Sequence, residues 1–359
     1  MNNENISNQE TYESDKEKIY ERLEYIHAPE GYNKKLPWLV QAQIAATNGK
    51  QYADRIGKLS DYPKYELPVQ KIENGLMLDI GCGWGRWLIA ASEKGYLPIG
   101  IDLRIEFCES SLKTMKDQHV KGYVVAADLM DLPFKDNVFD LVWSFSVIQH
   151  THRIRLMRCL NEIFRILKNG AFTKLEFPNK DGFRNSRGPV KQSETTKDEF
   201  KSWVVRYYSV GEYRKIFNSV FGNFKFSVHS FLGIGVLKED IFYVGWKNKI
   251  LCLISRILTR VSGISRKMKG KADSIYIEAA KNVGLKNEKC LSEFLDAHRV
   301  NPDNNLNIIY LLRCPNSMES LKIIDPDEKF IYNQSETFRY PIINKIPVII
   351  KSEAERVNN

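Results

Sequence analysis

The run Leu78-Asp79-Ile80-Gly81-Cys82-Gly83-Trp84-Gly85 carries the chain's sharpest chemical signal. Glycines at alternate positions let the backbone approach a ligand more closely than any side chain permits. Asp79, ahead of the first glycine, brings a carboxylate to the same turn. That charge would repel a pyrophosphate, but it accepts hydrogen bonds from an ammonium group. A dinucleotide turn wants its third glycine at position 86. Here Arg86 stands there and the third glycine is Gly85. The pattern argues against a nicotinamide oxidoreductase and favours a cationic amino-acid ligand.

Two more acids follow at strand ends. Asp102 closes Leu97-Pro-Ile-Gly-Ile-Asp102 and can accept both hydroxyls of a ribose; Leu103 follows it. Asp128, in Val125-Ala-Ala-Asp128-Leu129, can accept from an adenine amino group, while the Leu129 N–H faces the ring. Together these positions describe a ligand with an amine, a ribose and an adenine. Each also has a plainer use: Asp102 or Asp128 as a helix N-cap, the glycines as a bare turn, Cys82 as a small packed residue. His150, after the next strand in Ser146-Val-Ile-Gln-His150, is the candidate general base. Its alternative is to cap the helix near 153 with Thr151 and His152. Trp203, Arg206, Tyr207 and Tyr208 are candidates for an acceptor pocket, or ordinary packing and surface residues.

The elements that must position these groups alternate. Strands are predicted at 76–80, 97–101, 123–127, 138–145 and 171–177, separated by helices over 85–94, 104–118 and 153–168. This is the rhythm of βαβ units and a parallel sheet covered on both faces. A helix over 209–218 and strands over 223–232 and 274–280 complete it. Residues 1–18 read as a disordered tail, 19–74 as an N-terminal helical cap, 178–208 as an insertion at a strand's carboxyl end, and 282–304 as a linker. Residues 305–359 read as a small β-rich domain with strands near 307–313, 321–324, 329–332 and 346–350.

The ordered run LDIGCGWG, GIDL, AADLMDLPFKDNVFDLVWSFSVIQHT and LNEIFRILKNGAFTKLEFPN resembles the class I S-adenosylmethionine-dependent methyltransferases. The likeness is to the branch with the D-L-P-F-x-D-x-x-F-D motif and spans about residues 70–280. It implies a doubly wound, seven-stranded Rossmann-like α/β sheet over 75–281, with its last strand antiparallel. It implies S-adenosyl-L-methionine as cofactor, held by Asp79, Gly81, Cys82, Gly83, Gly85, Asp102, Leu103, Asp128 and Leu129, and a small-molecule acceptor. The favoured acceptor group is a hydroxyl of a sugar, glycolipid or secondary metabolite. The alternative is a binding or assembly module that keeps the fold without turnover. Asp140, in Phe139-Asp140-Leu-Val, reads as structural.

The tail pairs Cys314-Pro315-Asn-Ser317 with Tyr340-Pro341-Ile342-Ile-Asn344-Lys-Ile346-Pro347-Val. It resembles the zinc-ribbon-like proteins that accompany and activate methyltransferases. Cys314 keeps one ligand position, while Ser317, Asn333 and Glu336 occupy the other three. One thiolate does not hold a structural zinc, so the resemblance implies a degenerate, metal-free unit that docks in cis or on a protein partner.

Residues 246–268 form a basic amphipathic pattern: Ile250, Ile254, Ile257, Val261 and Ile264 share a stripe, with Lys249, Arg256 and Arg260 off it. Three uses are open: packing on the protein's own domain by the apolar stripe, lying on an anionic membrane, or covering a phosphorylated acceptor. The net charge of +9 is local, because residues 241–272 hold eight Lys or Arg and no acid, whereas 1–30 hold eight acids and three bases. With no aromatic–basic interleaving, nucleic acid is disfavoured as a partner. No apolar run is long enough to span a bilayer, no signal peptide opens the chain, and the six cysteines form no CxxC pair. A cytoplasmic location is the expectation.

Overall fold

The computed structural model describes residues 28, 30–32, 36–48, 56–151, 153–187, 205–232, 246–263, 265–282, 307–324, 327 and 329–357. Five parallel strands form the centre: β1 (Gly75–Ile80), β2 (Tyr96–Asp102), β3 (Tyr123–Ala127), β4 (Phe139–Phe145) and β5 (Leu167–Pro178). β6 (Lys225–Ser230) and β7 (Ser274–Ala280) extend it beyond β5, and β7 runs antiparallel to both its neighbours. The order across these seven is β6-β7-β5-β4-β1-β2-β3.

The apolar alternation of β1 explains the two covered faces. Leu76, Leu78 and Ile80 join the core built with α4 (Arg153–Ile166) and α5 (Val210–Phe221). Met77 points the other way, into a cluster with Trp84, Trp87, Trp143 and the aromatic residues Tyr62 and Tyr65. On that second face lie α1 (Trp38–Asn48), α2 (Arg86–Glu93) and α3 (Ile105–Asp117). By the period-two rule Asp79 shares the face of Met77. Asp140 is structural: it accepts from the Leu76 N–H (2.8 Å) and pairs with Lys168 (2.8 Å).

Several expectations need correction. Of the predicted helical cap, α1 is helical, but residues 56–74 contain no helix. Pro63 and Pro68 interrupt the backbone ladder there, and Tyr62, Tyr65 and Leu67 instead pack as extended chain. The predicted helix over 246–268 is two: α6 (Trp246–Ser262) and the single turn α7 (Arg266–Lys269). The tail, residues 1–18, and nearly all of the linker, residues 283–304, lie outside the described residues, as do His152, Trp203, Ile264 and residues 188–204 of the insertion.

The sheet does not stop at β3. β11 (Ile346–Ile349) lies parallel beside it, pairing Val348 with Ala126 and Ile349 with Ala127. From β11 the order continues through β10 (Phe338–Ile343) and β9 (Phe330–Asn333) to β8 (Leu321–Lys322), with β12 (Glu355–Arg356) on β10. Ile308, Leu312, Cys314, Ile331, Tyr340 and Ile349 share one core with the central strands. The stretch 307–313, expected as a strand, turns as a short 3-10 helix over Ile308–Leu311, because the Asn307 side chain accepts from the Ile309 N–H (3.0 Å) and bends it. It still reaches the neighbouring loop: the Lys135 N–H donates to the Leu311 carbonyl (2.9 Å) and the Arg313 N–H to the Pro133 carbonyl (3.0 Å).

Among the described residues no helix is long and apolar enough to cross a membrane.

Candidate active site

Parallel register brings the three acids to one end of the sheet. Ile80 pairs with Ile101 and Asp102 with Ala126, so Asp79, Asp102 and Asp128 lie at the carboxyl ends of adjacent strands β1, β2 and β3. In open sheets this end is where ligands bind.

The glycine turn is tied to β2: the Gly81 and Cys82 N–H groups both donate to the Ile101 carbonyl (2.8 and 2.9 Å). Gly81 has φ +78°, and a Cβ there would meet Val147 Cγ2 at 2.2 Å. A side chain would therefore push apart the turn and the loop after β4. The Gly83 N–H donates to Asp102 Oδ2 (3.2 Å), and the Gly83 carbonyl accepts from Ser111 Oγ of α3 (2.8 Å). Cys82 is buried and its thiol is held well above its ordinary pKa by burial, so it is a packed residue in this turn.

Asp79 is fully buried and neither of its carboxylate oxygens has a hydrogen-bond partner. A buried acid left this way destabilises the fold unless something pairs with it. Burial raises its carboxyl to about 8, the Arg86 charge working against the shift and Asp102 adding to it. Asp102 is raised to about 6, also by burial, against N–H donation from Arg104 and Gly83. Asp128 is raised by burial, while its Oδ1 accepts from the Met130 N–H (2.8 Å). Leu129 packs partly buried against the core beside it, whereas Leu103 is exposed.

Arg86 opens α2 and lies over three aromatic rings: Phe145 at 5.0 Å, Tyr65 at 5.5 Å and Trp87 at 5.5 Å. Next to this cage lies a polar row that the sequence reading missed. Phe145, Glu176 and Tyr276 are register partners across β4, β5 and β7. Glu176 is buried and accepts from Ser146 Oγ (2.6 Å) and from Ser274 Oγ. His229 Nδ1 lies 3.1 Å from Ser274 Oγ, and its ring stacks edge-on against Tyr276 (4.9 Å) and Phe145 (5.1 Å). Burial lowers the His229 pKa, which holds the imidazole neutral. The only signal in the sequence was one acid inside the apolar run Ala171–Phe177; the partners come from three other elements.

His150 sits partly buried in the turn after β4, its carbonyl accepting from Arg206 Nη1 (2.5 Å). Arg206 is thus a tether for this turn. Tyr207 is partly buried and raised in pKa by burial, and Tyr208 packs on Tyr213 (5.4 Å).

In the C-terminal unit, Cys314 Sγ lies 3.1 Å from the Tyr340 hydroxyl and accepts from the Ser317 N–H (3.3 Å). The buried Asn333 amide nitrogen lies within hydrogen-bond distance of Glu319 Oε2 (2.5 Å), Ser335 Oγ (2.9 Å), Thr337 Oγ1 (3.0 Å) and Ser317 Oγ (3.1 Å), which share its two N–H donors. Glu336 pairs with Lys322 (2.7 Å).

Residues 77–170, which build the glycine turn and all three strand-end acids, match the family model described as a methyltransferase domain. Among known proteins, an uncharacterized protein of Methanocaldococcus jannaschii is 33% identical over 123 residues, covering 33% of this chain and 49% of its own length. A demethylmenaquinone methyltransferase of Lactiplantibacillus plantarum is 34% identical over 104 residues (27% of this chain, 43% of that protein). A protein of the same description from Staphylococcus aureus is 38% identical over 134 residues (34% and 53%). The chain thus spans about half the length of the relatives it matches. The segment 77–170 thus matches a methyltransferase domain, and it lies on a mostly parallel α/β sheet.

Proposed function

We propose that residues 75–281 bind S-adenosyl-L-methionine and transfer its methyl group to a hydroxyl of a small-molecule acceptor, a sugar, glycolipid or secondary metabolite. The observation that carries this reading is Asp79, a fully buried acid with two unpaired oxygens at the glycine turn. An ammonium placed there satisfies the acid, and a nucleotide diphosphate does not. Asp102 fits a ribose and Asp128 with Leu129 an adenine, since all three acids end adjacent strands. Gly81, Cys82, Gly83, Gly85 and Leu103 form the backbone cradle around them.

When bound, the cofactor supplies an electrophilic methyl carbon on a sulfonium. The protein's part is positioning and proton handling. His150, in the turn after β4, is one candidate base. The chain His229–Ser274–Glu176 is the other: a neutral imidazole can take a hydroxyl proton, and Glu176 holds Ser274 and Ser146 in place. Residues 305–359 are read as the degenerate zinc-ribbon-like activator unit, docked in cis. Support comes from Cys314, Ser317 and Asn333 meeting in one hydrogen-bonded knot, and from β11 beside β3.

The test is calorimetric titration of the protein with S-adenosylhomocysteine, beside an Asp102→Ala variant. Wild type binds, and the variant loses about 1.5–3 kcal/mol, as for hydrogen bonds to a charged group. Failure of wild type to bind refutes the cofactor reading.

A further inference from the structure

Helix α6 is amphipathic with its faces reversed. A helix on a soluble protein turns its apolar stripe inward. Here the fully buried positions are small and polar, with Leu258 partly buried against the core beside them: Cys252, Ser255 and Ser262 are buried, and Ser255 Oγ donates to the Phe231 carbonyl (2.9 Å) while accepting from the Phe231 N–H (3.2 Å). The described part of the stripe, for which packing on the protein's own domain was one of three uses open from the sequence, is on the outside. Trp246 is 69% exposed, Ile250 50%, Leu253 59% and Ile257 51%, with Ile254 and Val261 exposed beside them. Spacings of three and four residues place these six side chains on one side of the helix. Lys249 and Arg260 are exposed on one flank of that face.

The charge along this segment of the chain has a single sign. Residues 241–272 contain eight basic side chains and no acid. The next acid, Asp273, is buried and accepts the backbone N–H groups of Arg184 and Leu232 (2.6 Å each). Its charge is turned inward and neutralises none of the exposed bases.

We infer that α6 lies on the surface of an anionic lipid bilayer, its apolar face set among the acyl chains and its flanking bases among the headgroups. Both halves of the pattern suit that occupant: apolar area supplies the insertion, and unopposed basic charge supplies the attraction to anionic lipid. A second protein copy presenting the same basic rim would meet it with like charge. Position adds to the argument. Ser255 ties α6 to Phe231, just past the end of β6, and the chain re-enters the sheet at Ser274, which pairs with Pro178 at the carboxyl end of β5. The lipid-facing helix therefore sits at the end of the sheet that carries Glu176 and the strand-end acids.

The experiment is co-sedimentation of the full chain with vesicles of phosphatidylcholine alone and of phosphatidylcholine mixed with phosphatidylglycerol. The protein partitions onto the mixed vesicles, and added salt weakens this. An Ile254→Ser/Ile257→Ser variant, altered only at exposed positions, loses more than about tenfold in partitioning. Lys249→Glu/Arg260→Glu loses the preference for anionic lipid. Unchanged S-adenosylhomocysteine affinity of these variants separates lipid docking from the cofactor reading. The inference is overturned if wild type ignores both vesicle types, or if the double Ser variant binds as well as wild type. Light scattering without lipid also overturns it if wild type is a dimer that the Ser variant turns into a monomer.

Discussion

Ser146, just past the end of β4, donates a 2.6 Å hydrogen bond to Glu176 of β5 from a backbone with φ +59°. A non-glycine residue held there is uncommon. Glu176 thereby grips the β4 loop on one oxygen and Ser274 of β7 on the other. In the proposed reaction, Glu176→Gln lowers turnover by about 10²-fold, as expected when the group that holds Ser274 against the proton-accepting imidazole is lost. S-Adenosylhomocysteine affinity stays within about threefold. Turnover assays on an acceptor found by screening, paired with calorimetry, check this. A fall in affinity equal to the fall in turnover would show Glu176 to be a support for the cofactor pocket only.

Asp79 makes the ligand-free protein sensitive to alkali. The unfolded chain ionises this acid near 3.8, whereas the fold holds its proton up to about 8. Below both values both states are protonated and the titration of Asp79 adds no further cost. As pH rises between them, only the unfolded state releases the proton, so stability falls, and above about 8 the loss is complete. Asp79→Asn removes that slope and gains on wild type steadily from about pH 4 to pH 8. Urea midpoints of the two proteins across this window test it, and parallel curves would sink it.

The same shift couples binding to protons. An ammonium beside Asp79 favours its ionised form, so binding S-adenosylhomocysteine near neutral pH releases a proton, and binding well above about pH 8 does not. Calorimetry in two buffers of different ionisation heat reads this directly. Equal apparent heats in both near neutrality would mean Asp79 does not face the amine.

Much of this site was legible because it is local. Asp79, Asp102 and Asp128 each close an apolar run, and parallel register then aligns them without further information. Glu176, His229 and Tyr276 were not legible as a group, since their meeting depends on the pairing of β5, β6 and β7. The periodicity of α6 revealed a stripe, but periodicity does not say which side faces the core. That was set by Ser255 bonding to Phe231. β10 was missed because Pro341 interrupts its pattern, although Pro341 pairs with Phe330 inside the strand.

Gly81→Ala costs about 2 kcal/mol or more, combining the left-handed penalty with a 2.2 Å clash on Val147. Gly83→Ala, at φ +54° with nothing within 4 Å of the added Cβ, costs about 1 kcal/mol. Chemical denaturation orders the two. Equal losses would mean the Val147 contact relaxes freely.

Ile349→Ala in β11 costs about 2–5 kcal/mol, the range for emptying a buried aliphatic site. Because Ile349 shares a core with β1, β2 and β4, tryptophan fluorescence and far-ultraviolet circular dichroism follow a single transition in the variant. Two separated transitions would mean the C-terminal unit melts on its own.

The placement of β11 also sets an order in time. Asn344, in the turn entering β11, bonds to Glu109 of α3, which lies 235 positions earlier in the chain. On a ribosome the strands β1 to β7 emerge first and can pair among themselves, while the outer rim of β3 waits for β11, which begins only at Ile346. At about 5–20 residues per second, that rim stays uncovered for on the order of ten seconds or more. A bare strand rim is a template for another chain. The nascent protein thus passes through an interval in which an uncovered strand rim ends directly beside Asp128, and a chaperone that shields that rim would act during this interval.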